Sequence, residues 1–146
     1  MTNMTLTVTT EQAEAISRML DLAMRIHLCQ SGEIEMLARM ETLKHATGRP
    51  LTLDERLKVD RRLEDVKRVF GFPGGASFGI GSPHISEDAR RGYETMKVIQ
   101  RALAMHRDPN PTGWRGVNYD GLTARYTADP APVAVIVANN AGGAEG

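Results

Sequence analysis

The chain predicts an α+β fold that is mainly helical: about four helices, a short C-terminal β-hairpin or ribbon, and room for an N-terminal edge strand. Three observations predict it. Apolar residues recur at three- and four-residue steps through most of the first 107 positions, the period of a helix face packed on a core. Helix-start residues stand ahead of several of those stretches. After "DPNPTG" the pattern changes to short β-like pieces, "WRGVNYDGLTARYT" and "VAVIVA", around an Asp120-Gly121 pair suited to a hairpin turn.

Taken in order, residues 3–8, "NMTLTV", alternate weakly and suit an edge strand. Thr9 and Gln12 have the spacing of a capping box, in which each side chain satisfies a free backbone N–H. The helix that follows runs to about Gln30. Its expected core face is Ala13, Ile16, Leu20, Ala23 and His27, widened by Met19, Leu22 and Ile26. A break at "QSG" leads to a second helix with Ile34, Leu37 and Met40. It ends near "TGRP", where Gly48 suits a left-handed cap and Pro50 bars continuation.

Thr52 and Glu55 repeat the capping-box spacing, and Val59, Leu63, Val66 and Phe70 step by four, three and four. The mixed charges of this third helix read as a solvated outer face. A glycine-rich loop without charge follows, and then Ser86 caps a fourth helix with Glu87 and Asp88 in its first turn. Its expected core face is Ala89, Tyr93, Met96, Ile99 and Leu103. Residues 1–138 read as one globular domain and 139–146, "NNAGGAEG", as a flexible tail. No internal repeat is present.

Bulk properties narrow the function. The 146 residues suffice for one hydrophobic core, and 41% apolar with 25% charged residues is ordinary for a globular protein. Eighteen residues of each sign give zero formal charge, which argues against a general DNA or RNA coat and against an anionic-membrane binder. A single cysteine, Cys29, excludes an internal disulfide and suits a reduced, cytoplasmic setting. The N-terminus lacks the pattern of a signal peptide, and no apolar run reaches the roughly 18 residues of a membrane span.

Catalytic and metal patterns find little support. His27, His45, His84 and His106 form no HxxxH or HExxH spacing, so no metal is expected. No nucleophile has a positioned base, and Asp54, Glu55, Glu64 and Asp65 read as surface acids. The chain is therefore expected not to be an enzyme and to need no cofactor. His27 and Cys29 read as structural residues.

Binding patterns are more definite. The loop "GFPGGASFGIGSPH" carries neither a phosphate P-loop nor a full dinucleotide fingerprint. Its Phe78 is framed by residues small enough to let a ligand approach the backbone. Ligand contact and a plain connector weigh about equally. Arg90, Glu94, Lys97 and Arg101 share one stripe of the fourth helix. Arg90 and Glu94 suit an i,i+4 pair, whereas Lys97 and Arg101 have no carboxylate four residues away and can receive a phosphate. On pattern alone a solvated face weighs more. The segment "WRGVNYDGLTARY", with Arg115 and Arg125, suits packing on the helices, stacking on a flat ligand or contact with a partner surface.

The run from residue 77 to 119 then resembles a stretch of small bacteriophage and prophage proteins. It carries Ser77-Phe78-Gly79-Ile80, Glu87-Asp88, Ala89-Arg90, Tyr93, Ile99-Gln100-Arg101-Ala102-Leu103-Ala104-Met105 and Arg107-Asp108-Pro109-Asn110-Pro111. "LDLAMRIHLCQSGEIE" is similar, more loosely, to an N-terminal pattern of the same group. The group overlaps the Thoeris anti-defence sponge proteins, which sequester a host's cyclic nucleotide alarm signal without cleaving it. Two departures stand out. Gln100-Arg101-Ala102 replaces an Arg-His-Arg run and Met105 replaces a Trp, which bears on ligand preference.

The resemblance implies a homo-oligomer in the host cell cytoplasm, with pockets shared between subunits and a cyclic ADP-ribose isomer or cyclic oligonucleotide as ligand. Phe78 stacks on the base in this reading, with Ser77 and Gly79 beside it. Arg101 and Arg107 hold phosphate, and Arg90 or Lys97 completes the cage. His84 and Asn118 complete the ligand-binding set. Replacing Phe78 or Arg101 by alanine is then expected to abolish binding without unfolding the chain. The alternatives are a protein–protein inhibitor or adaptor without a small ligand, a phosphodiesterase-like enzyme and a structural component.

Overall fold

The structure, a computed structural model, describes residues 2–30 and 44–137. The expected second helix around Ile34, Leu37 and Met40, and the expected tail 139–146, lie outside the described residues. Three helices are described: α1 (Thr10–His27), α2 (Leu53–Val69) and α3 (Glu87–Arg107), with one turn of 3-10 helix at Val117–Tyr119.

Each helix starts where its capping chemistry dictates. Thr9 Oγ1 accepts from the Gln12 N–H and Gln12 Oε1 accepts from the Thr9 N–H, closing the capping box of α1. Thr52 and Glu55 do the same for α2, where the Arg49 guanidinium adds a two-pronged grip on Glu55 at 2.8 and 2.7 Å. Ser86 Oγ accepts from the Ala89 N–H at the start of α3. Helix α1 stops short of Gln30, because Cys29 turns to φ 57°.

α1 and α3 form an antiparallel pair. Near one end Arg107 lies 3.7 Å from Glu14, and at the other the Phe78 N–H, ahead of α3, donates to the Leu28 carbonyl. Between them Met24, Leu28, Ile85, Ala89 and Met96 form a buried cluster, with Leu20, Phe78, Ile80 and Tyr93 packed against it. Leu103 and Ala104 are buried further along α3. The α3 face follows its expected spacing. The α1 face is rotated by one position: Ser17, Leu20, Met24 and Leu28 point inward, while His27 is exposed and Met19 and Ile26 are more than half exposed.

Among the described residues α2 packs on neither α1 nor α3. Among the described residues it is tied to the glycine loop. Lys67, which is buried, donates to Glu64 Oε1 at 2.6 Å and to the Ala76 carbonyl at 2.9 Å, and Glu64 Oε2 accepts from the Gly75 N–H. Glu64 is thus a loop anchor and not the surface acid expected. Of the expected α2 face, Val59 and Leu63 are half-buried, whereas Val66 and Phe70 are exposed.

The α+β expectation is overturned. Among the described residues there is no strand and no hairpin, and the only β-type pairing is one bridge between Lys44 and Pro50. Residues 3–8 form no strand and expose Met4 and Leu6. Asp120-Gly121 makes no hairpin, because the chain beyond it is drawn onto α3. The N–H groups of Tyr126 and Thr127, which a hairpin needs for its ladder, donate to the Glu94 carboxylate. Residues 133–137 form no strand, and Val133, Val135 and Val137 are exposed. Strand propensity had no sheet to join, so it decided nothing. No described helix is long and apolar enough to cross a membrane.

Candidate functional site

α3 carries Arg90, Lys97, Arg101 and Arg107, and the other candidates lie in the segments before and after it. Arg90 and Arg107 are 17 residues apart, about 25 Å along a helix at 1.5 Å per residue, so the stripe cannot close on one small ligand within a subunit.

At the start of α3, Ser77, Phe78, Gly79, His84 and Arg90 do come together. Phe78 is half-buried against the core cluster, and its ring sits 5.1 Å from Phe72 and 5.0 Å from His84, centre to centre. The Gln30 side-chain amide donates to the Phe78 carbonyl. Arg90 donates to the Ser82 carbonyl at 3.0 Å and lies 3.7 Å from Glu87. Phe78 therefore already has ring neighbours and a packing role. The expected Arg90–Glu94 pair is not made.

Glu94 does something else. Its carboxylate, almost wholly buried, accepts from the Tyr126 N–H, the Thr127 N–H, the Thr127 hydroxyl and Arg125 Nε, at 2.6 to 3.0 Å. Burial pushes this carboxyl up, and the donors together outweigh burial and hold it below the ordinary value of 4.5. Arg91 grips Asp129 at 2.6 Å, and Arg125 also donates to the Asp129 carbonyl. The Arg91 guanidinium holds the Asp129 carboxyl below its ordinary range. Residues 125–129 are thereby strapped across α3. Sequence reasoning missed this because a Glu four residues after an Arg reads as a surface pair.

In the second half of α3, Lys97 and Arg101 meet the loop that carries Asn118. Lys97 Nζ donates to the Val117 carbonyl at 3.2 Å. The aliphatic stem of Arg101 packs on Gly121, so closely that a Cβ there would stand 2.5 Å from Arg101 Cδ. The Tyr119 hydroxyl donates to the Asp108 carbonyl, and the Arg115 guanidinium sits 5.5 Å from the centre of the Tyr119 ring. Trp114 is 87% exposed, with the outer edge of its six-membered ring near Gly116. Asn118 is exposed in the same turn.

No protein-family model, curated protein or solved structure matches this chain.

Charge pairing separates the cationic residues. Arg90, Arg91, Arg107 and Arg125 each have a carboxylate within ion-pair distance. Lys97, Arg101 and Arg115 have none among the described residues, and all three converge on residues 115–121. A depression of about 330 Å³ lies elsewhere, on α2, lined by Lys58, Arg61, Arg62 and Asp65. Two of its cations are paired, Lys58 with Asp54 and Arg62 with Asp65. The unpaired cations of α3 are the better anion site. Among the described residues no three His, Cys, Asp or Glu side chains are grouped to hold a metal ion.

Proposed function

We propose that the protein binds and sequesters a phosphate-bearing nucleotide signal without cleaving it. The observation that carries this reading is the convergence of Lys97, Arg101 and Arg115, none with a carboxylate partner among the described residues, on the loop that holds Asn118. Cations without partners in a protein of zero net charge favour an anionic ligand, and guanidinium groups bind phosphate through two parallel hydrogen bonds. Sequestration needs affinity only, so a base-stacking surface and cations suffice.

The ligand class comes from the resemblance of residues 77–119 to the Thoeris anti-defence sponge proteins. On that reading the ligand is a host immune signal, a cyclic ADP-ribose isomer or a cyclic oligonucleotide, bound in the host cytoplasm during phage infection. A homo-oligomer with shared pockets fits the separation along α3: the Phe78 end of one subunit and the Arg101 loop of another are then two walls of one site. The exposed apolar side chains, including Val69, Phe70 and Trp114, supply surface for such contacts.

The test is a thermal-shift panel of cyclic ADP-ribose isomers and cyclic di- and trinucleotides, followed by heat release and mass analysis of any stabilising ligand. Stabilisation with intact ligand released supports a sponge. Altered ligand means an enzyme. No shift across the panel removes the reading.

A second reading is a protein–protein inhibitor or adaptor of a host defence protein. Val133, Val135 and Val137 favour it, since they lie 82%, 73% and 76% exposed on an uncharged segment that a partner can cover. It predicts one host protein retained by the full chain and lost when these valines become threonine, with no nucleotide effect.

A further inference from the structure

We propose that Tyr119 is a positioning residue of the anion site, whose ring holds the Arg115 guanidinium ready for phosphate. The inference deepens the nucleotide-binding reading above and rests on it. A cation serves an anionic ligand best when the contacts that hold it leave its N–H donors free. An ion pair with a carboxylate fails that condition, because it spends those donors. Arg115 has no carboxylate partner among the described residues and sits instead 5.5 Å from the centre of the Tyr119 ring. A ring face attracts the whole cation through its quadrupole, so the fork of N–H groups stays available to phosphate oxygens.

The ring is itself fixed. Tyr119 is half-buried and closes the 3-10 turn Val117–Tyr119, where its N–H donates to the Gly116 carbonyl at 3.3 Å. Its hydroxyl donates at 3.0 Å to the carbonyl of Asp108, the residue that caps the end of α3. Gly116 has φ 72°, a conformation that other residues disfavour, and the turn that begins there returns the ring to Arg115.

The two other cations of this loop follow the same rule. Arg101 is held by its stem on Gly121, and Lys97 gives one of its three donors to the Val117 carbonyl. Each is placed by something other than a described carboxylate and keeps donors for a ligand. An arginine side chain loses rotamer freedom when it grips phosphate, and a ring that has already ordered it removes part of that loss. Tyr119 therefore acts on affinity through Arg115.

The full-length protein is tested in two ways. Calorimetry measures binding of the cyclic ADP-ribose isomers and cyclic di- and trinucleotides of the panel above, and NMR reads the arginine side-chain Nε–H signals without ligand. The Arg115 signal, identified by its loss in Arg115→Ala, is expected to be shifted by the Tyr119 ring current in the parent and in Tyr119→Phe. In Tyr119→Leu it should return to an ordinary position. Tyr119→Leu and Arg115→Ala are each expected to weaken the bound nucleotide at least about fivefold, while Tyr119→Phe stays within about twofold of the parent. Circular dichroism checks the helices, and Tyr119→Phe with the parent's own Arg115 signal decides if Tyr119→Leu does not fold. Three results overturn the Tyr119 assignment and leave the nucleotide reading standing: unchanged affinity in Tyr119→Leu or Arg115→Ala, a loss in Tyr119→Phe as large as in Tyr119→Leu, or an Arg115 signal without a ring shift in the parent. Absence of calorimetric binding by every nucleotide overturns both.

Discussion

The guanidinium of Arg125 donates to the Glu94 carboxylate at 3.0 Å across 31 residues of sequence, and Glu94 is 3% exposed at its side chain while Arg125 is 37% exposed. The pair ties an irregular strap to the middle of α3. Because the strap's backbone donors share the same carboxylate, removing Glu94 leaves several groups without partners at once.

Glu94→Ala is therefore expected to cost about 3 kcal/mol of stability, in the range for breaking a buried charged pair. Glu94→Gln, which keeps the size and one acceptor, should cost less. Urea denaturation of the two variants measures both. An alanine variant as stable as the parent would mean the strap contributes nothing.

Acid should loosen the same strap. The folded-state carboxyl of Glu94 is held below its ordinary value of 4.5, and that of Asp129 below 3.8. Depressed carboxyls contribute stability that is fully present above the unfolded values and lost as pH falls through the folded ones. The melting temperature is expected to be flat above about pH 5 and to fall below about pH 4.5, with a shallower fall in Glu94→Gln. Melting curves from pH 7 to pH 3 read this directly.

Gly121 has φ 65° and lies under the Arg101 stem. Gly121→Ala should cost about 1–2 kcal/mol from the left-handed conformation, plus the displacement of Arg101. In an Arg101→Ala background the displacement disappears and the backbone cost remains. A double-mutant cycle separates them, and equal costs in both backgrounds would show that Arg101 moves aside freely.

Phe78→Ala and Arg101→Ala should part company. Phe78 packs on the buried cluster, so its truncation is expected to cost about 2 kcal/mol, below the range for a fully buried ring. Arg101 is exposed, and its truncation should change stability by no more than about 0.5 kcal/mol while weakening nucleotide binding. Weakening should be greater at low salt, where the charge acts over a longer range. Thermal melts followed by calorimetry at two salt concentrations test both halves.

Local chemistry was legible where it acts over a few residues. The capping pairs Thr9–Gln12 and Thr52–Glu55, the Ser86 cap and the Ala89, Met96, Leu103 face all depend on neighbours within one or two turns, and the structure has each of them. The α1 face was less legible, because Ser17 is inside and Met19 and Ile26 outside, and polarity alone points the other way. Of the candidate site, Lys97 and Arg101 were readable as cations without helical partners and Arg115 as part of an aromatic segment suited to stacking, but that Lys97 and Arg101 meet the Arg115 loop required the tertiary structure.

By itself, then, the sequence determined where the described helices begin, which side of α3 is apolar, and that the chain carries no net charge to attract polyanions in general. Each follows from interactions between residues close in the chain. The tertiary structure alone decided the fate of the apparent strands and of the charges. A strand needs a partner, and Glu94 holds the backbone donors of Tyr126 and Thr127 that a ladder would need. Likewise a cation is available to a ligand only if nothing distant neutralises it, as Asp129 does for Arg91 and as no described carboxylate does for Arg101.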